Sequence, residues 1–63
     1  MDRFPVPDII GTFHQFSAFG QPYRVLSAGQ KKGDSWTVNI QVIETQEELE
    51  YPLEQAMSDP EAA

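Results

Sequence analysis

The sequence predicts a mainly β domain, either a small antiparallel four-stranded meander or an SH3-like half-barrel, with a short C-terminal helix. The strongest observation is an alternation over residues 35–43, where Trp36, Val38, Ile40 and Val42 are separated by polar side chains. Successive side chains of a strand point to opposite faces, so this period of two predicts one apolar and one polar face. Glycines and prolines divide the rest of the chain into short segments of strand length.

The length of the chain, 63 residues, corresponds to one small domain spanning residues 1–63. A domain of this size buries only about 60% of the surface that its unfolded chain exposes. Small domains commonly compensate with disulfides, a metal or a second subunit, but this sequence has no cysteine and a single histidine. We therefore expect no cofactor and, instead, association with a protein partner or with a second copy as a homodimer.

An extended N-terminal arm is expected over residues 1–8. Pro5 and Pro7 fix their own φ angles and bias the preceding residues towards extended geometry. In this interpretation, Phe4 and Val6 cover one edge of the core.

Residues 9–20 are open to two interpretations. Their apolar side chains have near-helical spacing, and Asp8 and Gly20 could begin and end a helix. The glycine, threonine and phenylalanine content is poor for a helix and acceptable for a strand. We favour a strand over residues 11–16 and a turn at residues 17–20.

A second strand is expected over residues 21–28, followed by a hairpin loop. Tyr23 and Val25 share one face of this strand, and Leu26 lies on the opposite face. Apolar residues on both faces indicate a sheet that is covered on both sides or paired with another chain. Residues 29–34 are polar and bracketed by glycines, which predicts a hairpin loop.

The C-terminal part predicts a fourth strand and a short helix. Leu49 and Tyr51 point inward between outward glutamates, and Pro52 ends the strand and suits the first turn of a helix. The apolar face of that helix is expected to consist of Leu53, Ala56 and Met57. Residues 59–63 are expected to be a frayed tail.

The charge is unevenly distributed along the chain. The formal net charge is −6, and residues 33–63 hold eight acidic residues and no basic residue. This balance argues against nucleic-acid binding, which depends on Lys and Arg contacts to phosphate. It is compatible with a basic protein partner or with solubility alone, and on charge alone we favour solubility. No apolar run is long enough to span a membrane, and the N-terminus does not resemble a secretory signal. We expect a cytoplasmic protein without membrane contact.

Catalytic chemistry has one candidate, His14. A hydrolase would need it beside a nucleophile and an orienting carboxylate, and Ser17 is near it only in sequence. We expect His14 to be a surface or rim residue and the protein to be non-enzymatic, with a small hydrolase using His14 as the weakest alternative. The glutamates of residues 44–50 do not have the spacing of a calcium-binding loop, so no metal site is expected.

The leading functional hypothesis is a non-enzymatic, acidic module that homodimerises or binds a basic protein, in the manner of an antitoxin-like partner. The alternative is a single-stranded nucleic-acid binder in which sheet aromatics stack on bases beside Arg24, Lys31 and Lys32. The candidate partner-binding residues are Phe19, Tyr23, Trp36, Glu44, Glu47, Glu48 and Glu50.

Several short motifs resemble a family of short bacterial proteins of unknown function. They are Ile10-Gly11-Thr12, Phe16, Phe19-Gly20, Pro22-Tyr23-Arg24-Val25-Leu26, Ile43-Glu44-Thr45 and Glu47-Glu48-Leu49-Glu50-Tyr51-Pro52-Leu53. The resemblance covers most of residues 8–60 and implies a bacterial cytoplasmic origin and a β-rich fold. It implies no activity, so no functional residue follows from it.

Overall fold

The computed structural model describes residues 3–17 and 19–62, and it contains one four-stranded antiparallel sheet in those residues. The strands follow one another in the order β1-β2-β3-β4, so the sheet is a meander. The elements are a 3-10 turn (Pro7–Ile9), β1 (Phe13–Gln15), β2 (Pro22–Lys32), β3 (Ser35–Val42), β4 (Glu48–Pro52) and α1 (Leu53–Ser58). The predicted mainly β meander with a short C-terminal helix is confirmed, and the helical interpretation of residues 9–20 is wrong.

The alternation in β3 sets the two faces of the sheet. Val38, Ile40 and Val42 are buried on the inner face, which packs against α1 and the 3-10 turn. Trp36 is half-buried on the same face, and its ring meets that of Phe4 edge to face at a centroid distance of 5.5 Å. Each fully buried aliphatic side chain contributes about 1.5–3 kcal/mol relative to an exposed one, so this stripe is the centre of the core.

The β2–β3 hairpin is tighter than predicted. β2 continues to Lys32, so the predicted loop over residues 29–34 is wrong and the turn consists of Gly33 and Asp34 alone. Gly33 has a φ angle of 62°, which a two-residue hairpin turn requires at its first position. Ladder pairing with β3 outweighs the low strand propensity of the polar residues before the turn.

β2 also contains two irregularities. Its register against β3 shifts between Val25 and Ser27 and again between Ala28 and Lys31. Each shift adds a residue to β2, as in a β-bulge, and bulges increase the twist of the sheet. The alternation that assigned Tyr23 and Val25 inward therefore ends before Ser27.

The C-terminal tail is ordered where fraying was expected. Asp59 is buried, the backbone N–H of Gln15 donates to the Pro60 carbonyl at 2.9 Å, and that of Ala62 donates to the Phe13 carbonyl at 2.9 Å. The tail covers the free edge of β1 because an unpaired strand edge offers hydrogen-bonding groups that another backbone can satisfy. The prediction of a frayed tail is wrong for residues 59–62, and Ala63 lies outside the described residues.

The N-terminal arm differs less from its prediction. Phe4 and Val6 pack against the core, as expected, but the extended stretch ends before the 3-10 turn at Pro7–Ile9. The turn buries Ile9. Met1 and Asp2, the first two residues of the predicted arm, lie outside the described residues, as does Ala18 of the predicted 17–20 turn.

Candidate functional site

The exposed apolar side chains of one end of the sheet form the first candidate site. The β1–β2 and β3–β4 connections both lie at this end, because consecutive strands of a meander run in opposite directions. Phe19 is fully exposed in the first connection, while Ile43 and Leu49 are 41% and 39% exposed in and beside the second. A backbone hydrogen bond from the Ile43 N–H to the Pro22 carbonyl, 3.1 Å long, ties this end together.

Acidic side chains surround the second of these connections. Glu44 and Glu47 lie in it, Glu48 begins β4, and all three are exposed. No basic residue occurs in residues 33–63. We call Phe19, Ile43, Glu44, Glu47, Glu48 and Leu49 the turn-end surface.

The β3–β4 connection is held by its own backbone. The Val42 N–H donates to the Glu47 carbonyl at 2.8 Å, and the Gln46 N–H donates to the Val42 carbonyl at 2.7 Å. Gln46 adopts a φ of 63°, a left-handed conformation that lets the chain reverse. The Thr45 hydroxyl accepts from the Glu47 N–H at 3.3 Å. These bonds hold the neighbouring carboxylates on a defined backbone.

Glu50 does not belong to this surface. It pairs with Asn39 on the outer face of the sheet, and the ammonium of Lys32 lies 3.0 Å from its carboxylate. The hydrogen bond from Lys32 lowers the pKa of Glu50 below its ordinary value. Glu50 is thus engaged within the chain, unlike the glutamates beside the turn.

Two aromatic candidates lie elsewhere. Tyr23 is fully buried on the inner face, so the prediction that it contacts a partner is wrong. The apolar, aromatic character that suggested a contact residue serves the core instead. Trp36 lies near the opposite end of the sheet, where β3 begins, and contacts Phe4.

A buried polar network that the sequence did not predict lies beneath the helix. One oxygen of Asp59, Oδ2, accepts hydrogen bonds from the hydroxyls of Tyr23 at 2.7 Å and Tyr51 at 2.9 Å. Its other oxygen, Oδ1, accepts from the Gln55 side-chain amide at 3.3 Å. Burial, followed by the bond to Asp59, raises the pKa of Tyr51 to about 12 and raises that of Tyr23 further.

This network attaches the C-terminal tail to the sheet. Both hydroxyls keep their protons at neutral pH and can donate to the carboxylate. No local sequence pattern predicts it, because 36 residues separate Tyr23 from Asp59.

His14 belongs to the interior and not to the surface. Its side chain is only 6% exposed, and its ring stacks on Tyr23 with a centroid distance of 5.9 Å. One ring nitrogen, Nε2, lies 3.0 Å from the Thr12 hydroxyl, and Nδ1 lies 3.4 Å from the Asp59 carbonyl. The prediction of a surface or rim histidine is wrong, because the tail and Tyr23 cover the strand at this point.

Ser17, the possible nucleophile, makes local contacts in the β1–β2 connection. Its hydroxyl accepts from the Phe19 N–H at 3.3 Å. Within residues 3–17 and 19–62, no group of three or more His, Cys, Asp or Glu side chains could hold a metal ion. In the same part of the chain, no helix is long and apolar enough to cross a membrane.

Comparison with known proteins gives a family and no activity. The profile of one family matches residues 2–63, and its description is "Family of unknown function (DUF5397)". A comparison with curated proteins finds no match. The resemblance to a family of unknown function, stated from the sequence motifs, is therefore confirmed.

Proposed function

Since the chain belongs to the family of unknown function DUF5397, we infer its role from its own surface. We propose that it is a non-enzymatic module that binds a basic protein through the turn-end surface. The observation that carries this proposal is the exposure of Phe19, Ile43 and Leu49 at one end of the sheet, beside three carboxylates. Apolar patches rimmed by polar groups commonly mark interaction sites.

The apolar part of this surface would supply the anchor. Phe19 is fully exposed, so it gains no burial from the fold and can gain it in a complex. Aromatic and aliphatic anchors at the centre of an interface commonly carry most of its binding energy. Leu49 and Ile43 would extend the anchor along the sheet end.

The charges of this surface select the kind of partner. Glu44, Glu47 and Glu48 would form an acidic rim, which accelerates encounter with a basic surface and repels acidic partners. A two-fold homodimer through the same surface would bring these carboxylates of the two copies together, at an electrostatic cost. We therefore favour a different, basic protein over a second copy, in an antitoxin-like arrangement within the cytoplasm.

The nucleic-acid alternative has less support. Tyr23 is buried and Phe16 and Tyr51 pack against the core, so the inner-face aromatics stack on one another and not on bases. The SH3-like description stays a prediction, and the proposal does not depend on it.

The proposal is tested by affinity capture with matched phenylalanine variants. Phe19→Ser removes the anchor, and the control Phe13→Ser replaces a phenylalanine that is 44% exposed on β1, away from the turn-end surface. We expect a basic protein to be retained by wild type and by Phe13→Ser, and lost with Phe19→Ser. Titration with the purified partner should then show weaker binding for Glu44→Gln/Glu47→Gln and for wild type at higher salt.

Circular dichroism of every variant would verify that it is folded. Equal retention by both phenylalanine variants, or an acidic partner whose binding is insensitive to salt, would exclude the turn-end surface as the site.

A further inference from the structure

An open pocket of about 270 Å³ lies where the 3-10 turn, the start of β1, α1 and the tail meet. Three of its lining side chains are apolar, namely Val6, Ile9 and Met57. Two carboxylates, those of Asp8 and Glu61, also line it. The pocket shares no residue with the turn-end surface.

The remaining lining residues, Thr12 and His14, are already engaged within the chain. The Thr12 hydroxyl donates to the Ile9 carbonyl at 2.5 Å and lies 3.0 Å from His14 Nε2. His14 also has the Asp59 carbonyl within reach of its other nitrogen. These hydrogen bonds hold the polar side chains of Thr12 and His14 in place in the pocket wall.

The two carboxylates, by contrast, are available. Asp8 and Glu61 are exposed, and neither takes part in the ion pair between Lys32 and Glu50. A ligand that enters the pocket therefore meets apolar walls and negative charge, and no lysine or arginine among the described lining residues competes with it.

From this combination we propose that the pocket binds the side chain of a lysine or arginine from another protein. Both side chains carry a cationic head on an apolar stem, and they bury the stem on apolar surface while the head stays at a polar rim. Val6, Ile9 and Met57 would contact the stem, and Asp8 and Glu61 would contact the head. An anionic or purely polar ligand would match neither feature.

Met57 fits this role. The sequence predicted it inward on the apolar face of α1, with Leu53 and Ala56, but only those two are buried and Met57 is 56% exposed. A methionine side chain is flexible and polarizable, so it adapts to stems of different length. The helix thus places an uncovered, adaptable apolar group beside the two carboxylates.

The pocket is a second site, separate from the turn-end surface, and the two can be tested independently. The turn-end surface is tested with a protein partner, whereas the pocket can be tested with single amino-acid derivatives. A pocket without affinity for them would leave the turn-end proposal intact, and the reverse also holds.

The experiment is an NMR titration of the full chain. His14 is the only histidine and Met57 is one of two methionines, so their ring and methyl signals report directly on the pocket. The probes are Nα-acetyl-lysine N-methylamide and its arginine counterpart, with Nα-acetyl-norleucine N-methylamide as the control that keeps the stem and lacks the charge.

We expect saturable shifts of both reporter signals with at least one cationic probe, with dissociation constants on the order of millimolar, because one side chain makes few contacts. The norleucine control keeps the stem and lacks the charge, so it should bind at least about tenfold more weakly than the better cationic probe. The variant Asp8→Asn/Glu61→Gln should weaken binding about tenfold, the size expected for two exposed charge pairs. The matched variant Asp34→Asn/Glu54→Gln removes two exposed carboxylates that line neither the pocket nor the turn-end surface, so it changes net charge equally and should leave binding unchanged.

Three outcomes would overturn the proposal. They are the absence of saturable shifts with either cationic probe, equal binding of norleucine, and equal weakening by the two double variants. The last would show attraction to the net charge and not to the pocket.

Discussion

Leu49 and Tyr51 lie two residues apart on the same face of β4, yet their surroundings differ. Tyr51 is half-buried against Phe16 and Tyr23, and its hydroxyl binds Asp59. Leu49 pairs with the fully buried Ile40 on β3, but it is 39% exposed itself. The difference arises from what covers the sheet, since the helix and tail reach Tyr51 and leave the turn end of β4 open.

This contrast separates two kinds of apolar residue in one small domain. Where the tail covers the sheet, apolar side chains are buried and polar groups form hydrogen bonds within the chain, as those accepted by Asp59 show. At the turn end, the fold leaves apolar side chains in water beside acidic ones. The covered region therefore holds the buried contacts of the network, and the open region is the part that we propose for partner binding.

The largest expected effect comes from two substitutions at facing positions of β3 and β4, one in the covered region and one in the open region. Ile40→Asp places an unpaired charge on the fully buried stripe, so we expect it to unfold the domain, which has only a few kcal/mol of stability to lose. Leu49→Asp, directly opposite, can keep its carboxylate in water and should cost about 1 kcal/mol. Circular dichroism and urea denaturation measure both.

Unfolding of Leu49→Asp would contradict the difference between the covered and the open parts of the sheet. It would show that the turn end is covered in solution, by a second copy or by another part of the chain. A native melting curve for Ile40→Asp would instead contradict the position of the core.

An intermediate effect is expected at alkaline pH. The pKa of Tyr51 is raised from 10.0 to about 12, mainly by burial, and Asp59 faces both tyrosine hydroxyls. Because the pKa of the folded state exceeds that of the unfolded state, the stabilisation is complete below pH 10.0 and is lost as the pH rises through about 12. The free energy of unfolding should fall across this window.

Spectrophotometric titration of tyrosine checks this expectation, since Tyr23 and Tyr51 are the only tyrosines. In the native protein we expect no tyrosinate absorbance near pH 10, whereas in concentrated urea both side chains should ionise there. Native ionisation of either tyrosine near pH 10 would show that the Asp59 network is open in solution.

The sequence predicted the sheet well, because alternation is a local signal. The alternation around Ile40 fixed the inner face of β3, and Pro52 marked the end of β4 and the start of α1. The acidic and aromatic character of the turn-end surface was also visible, in Phe19 and in Glu44, Glu47 and Glu48.

The errors concern contacts between distant segments. The burial of His14 and Tyr23 depends on Asp59, which is distant from both in sequence, and periodicity within a strand cannot report such a contact. The exposure of Met57 follows from where the short helix crosses the sheet, and helical spacing alone does not determine that position. The prediction for β2 ended the strand at residue 28, whereas it continues to Lys32 because pairing with β3 outweighs the low strand propensity of the polar residues there.

The smallest expected effect concerns the two described hairpin connections that contain a residue in the left-handed region, with a positive φ angle. The β2–β3 turn places Gly33 there, whereas the β3–β4 connection places Gln46 there at a φ of 63°. A residue with a Cβ pays a steric cost in this conformation that glycine does not. Gln46→Gly should therefore raise the free energy of unfolding by about 0.5–1 kcal/mol.

The matched control is Gln41→Gly, which makes the same replacement inside β3, where the backbone is extended. Glycine there loses more conformational entropy on folding, so stability should fall by about 0.5–1 kcal/mol. Urea denaturation midpoints of the two variants should thus move in opposite directions. Lower stability in both would mean that the Gln46 side chain contributes contacts that outweigh its backbone strain, and the turn end would then be a packed region like the one beneath the helix.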